Sequence, residues 1–492
     1  MIKKASFREL QHYSLNDIRQ FLNVSEEFAD EIVLRLMRRN ILKIRSDSTV
    51  IVAEELQSSD IAIGNIKVSD SDKRYVFDYV GLIEFAIGNT SIILNCFPKY
   101  IARQEESVKL KDMRLFVRTI ERYNKAQQFT ITLASEYEEQ LQYNPLAIAL
   151  FLLRDYWENG IYINSKEILE KNGDGEIDWD ATIVDTIPLI RDGRPFYIDY
   201  FTTSTTTDDA DYITRLHEYI LTKCSEYLRT TTLDELFDIE AVDLYEGEKS
   251  DFGDNEYIEQ RILKEINVQF VTHKQILLRA MYAWIHETKH SANEIALSLY
   301  GTNSFHKVWE NVCADVFDSQ LNTPIKDLPL NLLGKYADFP GTLLKLIPSP
   351  KWIKYSSKEE QFSEKTLIPD YISIFNSQSS SYFVIMDAKY YNIKLPPNLS
   401  GQPGVDDIDK QYLYQLAYKD FINVHNLIPI NAFLCPGDID QSYVSGEVEM
   451  PIFAGLGLTN IKVVILSAEH MLKAYLAGNK LNLQNELSDL FY

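Results

Sequence analysis

Two aspartates and a lysine stand at the ends of two short apolar segments of this sequence. Asp370 follows Pro369, while Asp387 and Lys389 close the apolar run 382–386. If the segments pair as strands, both carboxylates converge on one divalent cation, and Lys389 shares a face with Asp387 because strand side chains alternate. Carboxylate oxygens suit Mg²⁺, which polarises a phosphate and acidifies an attacking water. Lysine orients that water and offsets charge on the phosphoryl oxygens.

The spacing is that of a PD-(D/E)xK nuclease site. A D-x-K tripeptide is a weak signal by itself, because most such carboxylates belong to solvated surfaces or to structural salt bridges. Here Asp387 and Lys389 end a run that is apolar enough to be a buried strand, where a charge without a partner is costly. Asp370 and Pro369 lie upstream in a strand-like segment of their own, which runs from 368 to 375. This context favours the nuclease site over a salt bridge.

Length and composition predict a multidomain protein. The chain has 492 residues, of which 45% are hydrophobic and 12% aromatic, and single cores seldom exceed ~300 residues. The N-terminus does not resemble a signal peptide, and no apolar run approaches the ~20 residues of a membrane span. The four cysteines form no C-x-x-C pair, which argues against a zinc ribbon or a disulfide framework. We therefore expect a soluble, cytoplasmic protein without a membrane segment.

The strong negative charge restricts how the chain can bind DNA. Its net charge is −23, whereas affinity for a duplex depends on neutralising phosphates. Either local basic patches or a partner subunit must supply the affinity.

Residues 1–55 predict a winged-helix-like unit. Ser14 and Ser25 are positioned to cap two amphipathic helices, and strand-like segments follow at 41–44 and 49–52. A stretch without acidic residues carries several basic ones, among them Arg35, Arg38 and Arg39. These arginines indicate either nucleic-acid contact or a solvated helix face, and winged helices also serve as protein-interaction modules.

Residues 56–230 predict a β-rich stalk and a helical region. Strand-like runs at 75–83 and 91–97 flank a Gly-Asn turn signal, and a helical stretch follows from about 110 to 156. Asp174, Asp178 and Asp180 lack the spacing of an EF-hand, so we interpret them as turn residues.

Residues 231–299 predict an acidic linker and helices. The segment 234–259 has the composition of a solvated loop or linker, and 260–300 has a helical pattern. The helical part contains His286, Glu287 and His290 in the H-E-x-x-H spacing of zinc peptidases. Lys289 beside a ligand and the polar continuation favour a chance match, and a zinc peptidase is kept as a minor alternative.

Residues 300–492 predict the α/β core that carries the proposed site. A helix precedes the two aspartate strands, and its Glu310 is a candidate catalytic residue that could reach the metal site from behind. A helix from about 409 to 424, two strands and a last helix follow. This is the order expected of a restriction-endonuclease-like core. The fold class predicted for the whole chain is thus a multidomain α+β and α/β protein.

These segments together resemble the LlaJI family of restriction endonuclease subunits, relatives of McrC. The resembling segments are 79–83, 97–100, 178–183, 308–310, 369–370, 387–389 and 415–418. The last of them holds Gln415 and Tyr418, which are similar to a Q-x-x-Y pair that supports the site in RecB-type nucleases. The winged-helix-like start departs from the simplest McrC pattern.

The resemblance implies a partnered DNA nuclease. Such a chain cuts double-stranded DNA with Mg²⁺ through its C-terminal domain, in a restriction system. Its β-rich stalk stimulates a McrB-like AAA+ NTPase that carries the DNA-recognition domain. This chain has no G-x-x-x-x-G-K-[ST] loop of its own. Arg191 and Arg194, in a turn, are candidates for reaching the partner's nucleotide site, with a solvated turn as the simpler interpretation.

A regulator without catalytic activity is the competing class. In that case a winged-helix protein would use the nuclease fold only as a scaffold. The intact set of Asp370, Asp387 and Lys389 argues against it.

Overall fold

The chain divides into two units. The first unit comprises Met1–Ile2, Glu84–Ser91 and Ile131–Leu299, and the second comprises Lys3–Ile83, Ile92–Thr130 and Tyr300–Tyr492. The computed structural model describes residues 2–46, 73–87, 90–103, 109–126, 144–163, 165–207, 211–290, 296–377 and 380–491. Across those ranges, the helices are too short or too polar to cross a membrane.

A small α/β element begins the second unit. It contains β1 (Ile2–Arg8), β2 (His12–Tyr13), α1 (Leu15–Leu22), α2 (Glu26–Arg38), β3 (Leu42–Ser46) and β4 (Lys73–Phe77), with a sheet in the order β2-β4-β3. Ser14 and Asp17 form the capping box that begins α1, which confirms the helix start read from the sequence. The strand expected at 49–52 lies outside the described residues. Since β4 completes this sheet, the element continues past residue 55.

The strand expected at 75–83 proved to be two strands in different sheets. β4 ends at Phe77, and β5 (Val80–Ile87) joins β6 (Thr90–Phe97) and β12 (Ala296–Thr302) in the order β1-β6-β5-β12. Gly81 has a φ of 138°, and a Cβ there would overlap the carbonyl of Tyr300. A glycine is therefore required where β5 approaches β12. The 296–302 segment is this strand rather than the helix that we expected.

Helices make up most of the first unit. α4 (Pro145–Asn159) packs against α6 (Tyr212–Thr231) and α9 (Thr272–His290), and α8 (Asn255–Val268) packs along α9. The short α7 (Asp234–Phe237) and the turn at Lys249–Phe252 lie in the segment expected to be a solvated linker. That expectation was wrong for part of the segment, because Phe237, Val242 and Phe252 are buried.

The first unit also carries short strands. Three of them form an antiparallel sheet in the order β7 (Ser165–Lys171), β11 (Phe201–Thr207) and β8 (Glu176–Asp178). Between β8 and β11, the chain forms α5 (Trp179–Asp185) and then a hairpin of β9 (Leu189–Arg191) and β10 (Arg194–Phe196). Asp178 caps α5 by accepting a hydrogen bond from Ala181 N at 2.9 Å. The interpretation of this aspartate as a local structural residue is thereby supported.

The C-terminal part of the second unit is built on a five-stranded sheet. The sheet has the order β15-β16-β17-β19-β18, in which β16, β17 and β19 are parallel and the two outer strands are antiparallel to their neighbours. Its strands are β15 (Tyr371–Asn376), β16 (Ser381–Ala388), β17 (Ile428–Gly437), β18 (Tyr443–Val448) and β19 (Ile461–Ser467). The remaining elements are α3 (Leu110–Ala126), α10 (Phe305–Val316), β13 (Lys351–Lys354), β14 (Glu359–Phe362), α11 (Val405–Val424), α12 (Ala468–Ala477) and α13 (Leu483–Glu486).

The packing around β16 determines on which side of the sheet Asp387 lies. Phe383 and Ile385 pack with Tyr418 and Phe421 of α11 in one buried cluster. Alternate residues of a strand share a face, so Asp387 points to the same side as Phe383 and Ile385. Val384 and Met386, on the opposite face, are buried too, so Asp387 lies at the end of a strand that is covered on both sides.

Candidate active site

Asp370 and Asp387 meet at one end of the antiparallel pair β15–β16. Tyr371 pairs with Met386, which puts Asp370 opposite Asp387. Residues directly opposite each other in an antiparallel pair lie on the same face of the sheet. The N–H of Ala388 donates a hydrogen bond to Oδ2 of Asp370 at 2.9 Å. The two strands thus bring together aspartates that are 17 positions apart in sequence.

Lys389 completes this group from the first residue after β16. Its N–H donates to Leu434 O at 2.9 Å, which continues the pairing with β17 beyond the strand. Its Nζ lies 2.7 Å from Oδ2 of Asp387 and 2.7 Å from Oδ1 of Asp407. Asp407, in the first turn of α11, also accepts a hydrogen bond from Tyr391 OH at 3.2 Å. The lysine is 9% exposed, so two carboxylates and little water surround its charge.

Glu310 approaches the same group from α10. Trp309, its neighbour, donates its indole N–H to Leu434 O at 3.1 Å, and this is the carbonyl that also accepts from Lys389. Val308, Trp309 and Val312 are buried, whereas Glu310 is half-buried. The apolar face of α10 therefore packs so that Glu310 interacts electrostatically with Asp387 and Lys389.

Burial and mutual repulsion disturb the ionisation of the acidic groups. Burial first, and then Asp387 and Glu310, raise the pKa of Asp370. Burial and the charge of Asp387 raise the pKa of Glu310 to about 7. Burial alone would lower the pKa of Lys389, but the ion pairs with Asp387 and Asp407 outweigh it and raise that pKa. The site thus holds more negative charge than its lysine neutralises, and a bound cation would relieve the repulsion.

Gln415 lies farther along α11. Its Oε1 accepts hydrogen bonds from Asn431 Nδ2 at 3.3 Å and from Thr459 N at 3.2 Å. Tyr418 donates its hydroxyl to Leu343 O at 3.0 Å. These contacts hold α11 on β17 and on the preceding loops. The role of Gln415 in the site therefore stays a prediction.

A second Q-x-x-Y pair on α11 lies nearer to the carboxylates. Gln411 donates to Asn431 Oδ1 at 2.6 Å and approaches Ile385 O at 3.4 Å. Tyr414 donates to Ile368 O at 2.9 Å, and its hydroxyl is within electrostatic reach of Asp370 and Asp387. Sequence reasoning missed Gln411, Tyr414 and Asp407. The same spacing, one helical turn earlier, was the available signal for the first two.

The segment 97–100 packs beside the lysine strand. Tyr390, the residue after Lys389, donates its hydroxyl to Oε2 of buried Glu9 at 2.5 Å. The N–H of Lys99 donates to the same oxygen at 3.2 Å, and Nζ of Lys99 lies 4.8 Å from the centre of the Tyr390 ring. Glu9 and Lys99 therefore fix the chain immediately after the lysine.

The three arginines at the end of α2 differ in exposure. Arg35 pairs with Glu31 at 2.7 Å within the helix, whereas Arg38 and Arg39 are exposed at its C-terminal end. The structure permits both contact with a nucleic acid and a solvated helix end. DNA binding by these arginines stays a prediction.

Arg191 and Arg194 face each other across a tight hairpin. They are a register pair between β9 and β10, and all residues of both strands are exposed. The turn residues Asp192 and Gly193 have φ values of 53° and 72°, as a two-residue turn of type I′ requires. Like charges placed opposite each other do not stabilise a hairpin, so local stability does not explain this pair.

The H-E-x-x-H segment lies at the end of α9. Nδ1 of His286 is 3.2 Å from Oε1 of Glu259, and the ring stacks on Tyr282. The side chains of Glu287 and His290 lie outside the described residues. In the described part of the chain, no three His, Cys, Asp or Glu side chains form a group that could hold a metal ion.

A family model now gives this geometry a context. The model of the LlaJI restriction endonuclease matches residues 79–469, which include every carboxylate of the site and Lys389. The chain belongs to the LlaJI restriction endonuclease family. The resemblance found in the sequence is thereby confirmed.

Two further similarities accompany the LlaJI family match. The type II restriction enzyme BsuMI component YdjA of Bacillus subtilis (strain 168) is 31% identical over 424 residues, which cover 84% of this chain and 83% of that protein. The second similarity is to a chain of a solved structure, and the alignment covers 96% of this chain. That structure is a refined half-complex from the tetradecameric assembly of Thermococcus gammatolerans McrB AAA+ hexamers with bound McrC. That alignment covers 99% of the other chain, with 13% identity and a TM-score of 0.39.

Proposed function

We propose that this LlaJI family member is a Mg²⁺-dependent endodeoxyribonuclease subunit of a restriction system. One observation carries the proposal: Asp370, Asp387 and Lys389 converge at adjoining strand ends, in a chain whose family is one of restriction endonucleases. The family match alone names a class of protein. The convergence supplies a place in this chain where the chemistry can occur.

The donor atoms fit a divalent cation. Asp370 and Asp387 offer hard carboxylate oxygens. Burial first, and then the negative charge of Asp387, raise the pKa values of Asp370 and Glu310, and a bound cation would offset both effects. Mg²⁺ commonly binds through one or two carboxylates while substrate phosphate and water complete its shell. A site without a third protein ligand therefore still suits this ion. When bound, Mg²⁺ would polarise the scissile phosphate and acidify a water molecule.

The protein's own groups divide the remaining tasks. Lys389 carries a fixed charge, held between Asp387 and Asp407, that is able to offset negative charge on a phosphoryl oxygen. Glu310, with a pKa of about 7, is suited to accept or hold a proton near neutral pH. Gln411 holds α11 on β16 through Ile385 O, and Gln415 holds the same helix on β17 through Asn431.

A purely structural salt bridge explains these contacts less well. A buried ion pair adds little stability, and an additional buried carboxylate destabilises the fold unless something else uses it. Here Asp370 and Glu310 add acidic groups to the pair of Asp387 and Lys389. This arrangement argues against the alternative of a regulator that keeps the nuclease fold only as a scaffold.

We also propose that the subunit works with a McrB-like AAA+ NTPase and stimulates its hydrolysis. The net charge of −23 disfavours unaided binding to a duplex. The Bacillus subtilis relative is named a component of its enzyme, and a component requires other subunits. Both points support a nuclease that depends on a partner for DNA recognition.

The chain segment that connects β8 to β11 is the best candidate for the partner contact. Large apolar side chains crowd it, and Val184, Ile187 and Ile190 are 79%, 95% and 68% exposed. Exposed apolar groups in one contiguous segment are typical of protein interfaces. Arg191 and Arg194 stand on the same hairpin and could supply positive charge to a bound nucleotide's phosphates. By contrast, the described side chains of β5 and β6 are largely buried, which disfavours them as the contact.

Cleavage by single variants tests the proposed site. Co-expressed subunits would be purified, and nicking of plasmid DNA would be measured with Mg²⁺ and nucleotide. Asp387→Ala should abolish cleavage and leave folding and partner binding intact. Asp406→Ala removes a nearby exposed carboxylate of α11 and should cut normally. Normal cleavage by Asp387→Ala would exclude this site.

A further inference from the structure

The hairpin formed by β13 and β14 is a two-stranded ribbon without a buried face. Every residue of both strands is exposed, and Lys351 pairs with Phe362 at its base. Trp352 and Tyr355 are 70% and 95% exposed. A two-stranded hairpin is marginally stable in water, and aromatic rings that stay exposed gain little from the hydrophobic effect. The exposed aromatic residues of the ribbon are therefore better explained by contact with another molecule than by the stability of the ribbon itself.

The base of the ribbon is attached close to the proposed site. Trp352 Nε1 donates to Ser363 Oγ at 2.9 Å, and Thr366 Oγ1 donates to Pro348 O at 3.0 Å. Two residues further, Ile368 O accepts a hydrogen bond from Tyr414 OH at 2.9 Å. Asp370 lies four positions after Thr366, a span of at most about 14 Å. The ribbon thus projects from the edge of the site.

The charge of the ribbon opposes that of the rest of the chain. Residues 345–365 contain five lysines and three glutamates, a net charge of +2 by subtraction, whereas the whole chain carries −23. The lysines are Lys345, Lys351, Lys354, Lys358 and Lys365. Lys354 and Glu359 are 4.0 Å apart with side chains that are 69% and 74% exposed. Such a loose pair leaves the lysine available to a phosphate.

We propose that this ribbon enters a groove of duplex DNA beside the phosphate that is cut. The inference rests on the proposed nuclease function and names the surface that holds the substrate. The major groove, about 12 Å wide, admits a two-stranded β-ribbon. Lysines on its edges contact phosphates and fix the register, while Trp352 and Tyr355 press against sugars and base edges.

Photo-crosslinking tests the contact directly. Tyr355 would be replaced by a photo-crosslinking phenylalanine analogue in full-length protein that also carries Asp387→Ala, and a labelled duplex would be added at low salt. Phe270, which is 92% exposed in the first unit, provides the matched control position. The analogue at position 355 should crosslink to the duplex much more strongly than the analogue at position 270. Equal crosslinking at the two positions would overturn the proposal.

The salt dependence of binding gives an independent measure. Each phosphate contact contributes about 0.9 to the slope of log K against log salt concentration. Lys354→Ala with Lys358→Ala should reduce that slope by about 2. Lys473→Ala is the matched control, because Lys473 is 64% exposed and also pairs with a glutamate, Glu469. The control should alter the slope by less than half as much as the double variant, and an equal change would count against the ribbon.

The aromatic residues are tested by cleavage as well as by binding. Trp352→Ala with Tyr355→Ala should weaken duplex binding about tenfold. Native binding combined with native cleavage would reject the ribbon and leave the nuclease proposal standing. If the native protein never cuts DNA, the nuclease proposal fails, while the crosslink still decides whether the ribbon contacts DNA. Normal DNA binding with loss of partner-dependent cleavage would show that the ribbon binds a protein instead.

Discussion

Replacing Glu310 by glutamine removes a carboxylate whose charged form is destabilised in the folded protein. Burial, and then repulsion by Asp387, raise the pKa of this carboxyl from 4.5 to about 7. Between these values the folded protein keeps a proton at Glu310 that the unfolded chain has released. The stability contributed by that proton is complete below about pH 4.5 and is lost as the pH rises through about 7. Glu310→Gln should therefore stabilise the protein at alkaline pH.

The expected size of this gain follows from the pKa values. A change from 4.5 to about 7 corresponds to about 3.4 kcal/mol, and partial exposure of the half-buried side chain reduces the expected gain to about 2 kcal/mol. If all 492 residues unfold together, this free energy shifts the Tm by about 2 °C, and by more if the second unit unfolds independently. Cleavage should fall in the same variant if Glu310 assists the reaction.

Thermal unfolding at about pH 4.5 and about pH 8.5 measures the difference between native protein and Glu310→Gln. The variant should gain stability only at the higher pH. Glu469→Gln is a suitable control, since the hydrogen bond from Lys473 lowers the pKa of Glu469 and the same gain is not expected. Addition of Mg²⁺ should raise the Tm of the native protein more than that of Glu310→Gln. A loss of stability at both pH values would refute the argument, because Glu310 would then be a structural residue.

Three further expectations concern separate parts of the chain. Lys389→Ala should abolish cleavage but retain Mg²⁺ binding, measured as a Mg²⁺-dependent rise in Tm; loss of that rise would assign the lysine a structural role. Ile187→Ser changes a side chain that is 95% exposed, so the fold should persist while stimulation of the partner's nucleotide hydrolysis falls at least several-fold. An unchanged hydrolysis rate would place the partner contact elsewhere. His286→Ala and His290→Ala should leave zinc content at background, and stoichiometric zinc lost in both variants would instead support the peptidase alternative.

The helices and strands around the site were largely predictable because their signals are local. The apolar spacing in 305–316 and the capping pair Ser14 and Asp17 predicted α10 and α1. The run 382–386 predicted β16, and its polar end located Asp387 and Lys389. Side-chain periodicity and backbone sterics act within a few residues, so a sequence carries them directly.

Some errors arose where distant parts of the chain decide the outcome. Residues 75–83 form one apolar run, yet they join two sheets, because the N–H of Asp78 donates to Ile41 O and Gly81 meets Tyr300. The acidic composition of 234–259 suggested a solvated linker, but Phe237, Val242 and Phe252 are buried there. In these cases tertiary contacts override local pattern.

The sequence by itself determined the residue types of the site, the strand that follows Asp370, the strand that precedes Lys389, and the membership of a restriction endonuclease family. Only the tertiary structure decided which groups surround the lysine. Asp407 is 18 residues from Lys389 and reaches it because α11 crosses the sheet above β16. Gln411 and Tyr414, rather than Gln415 and Tyr418, lie nearest the carboxylates for the same reason. Ionisation also depends on packing, because burial and neighbouring charges, which no local spacing encodes, raise the pKa of Glu310 to about 7.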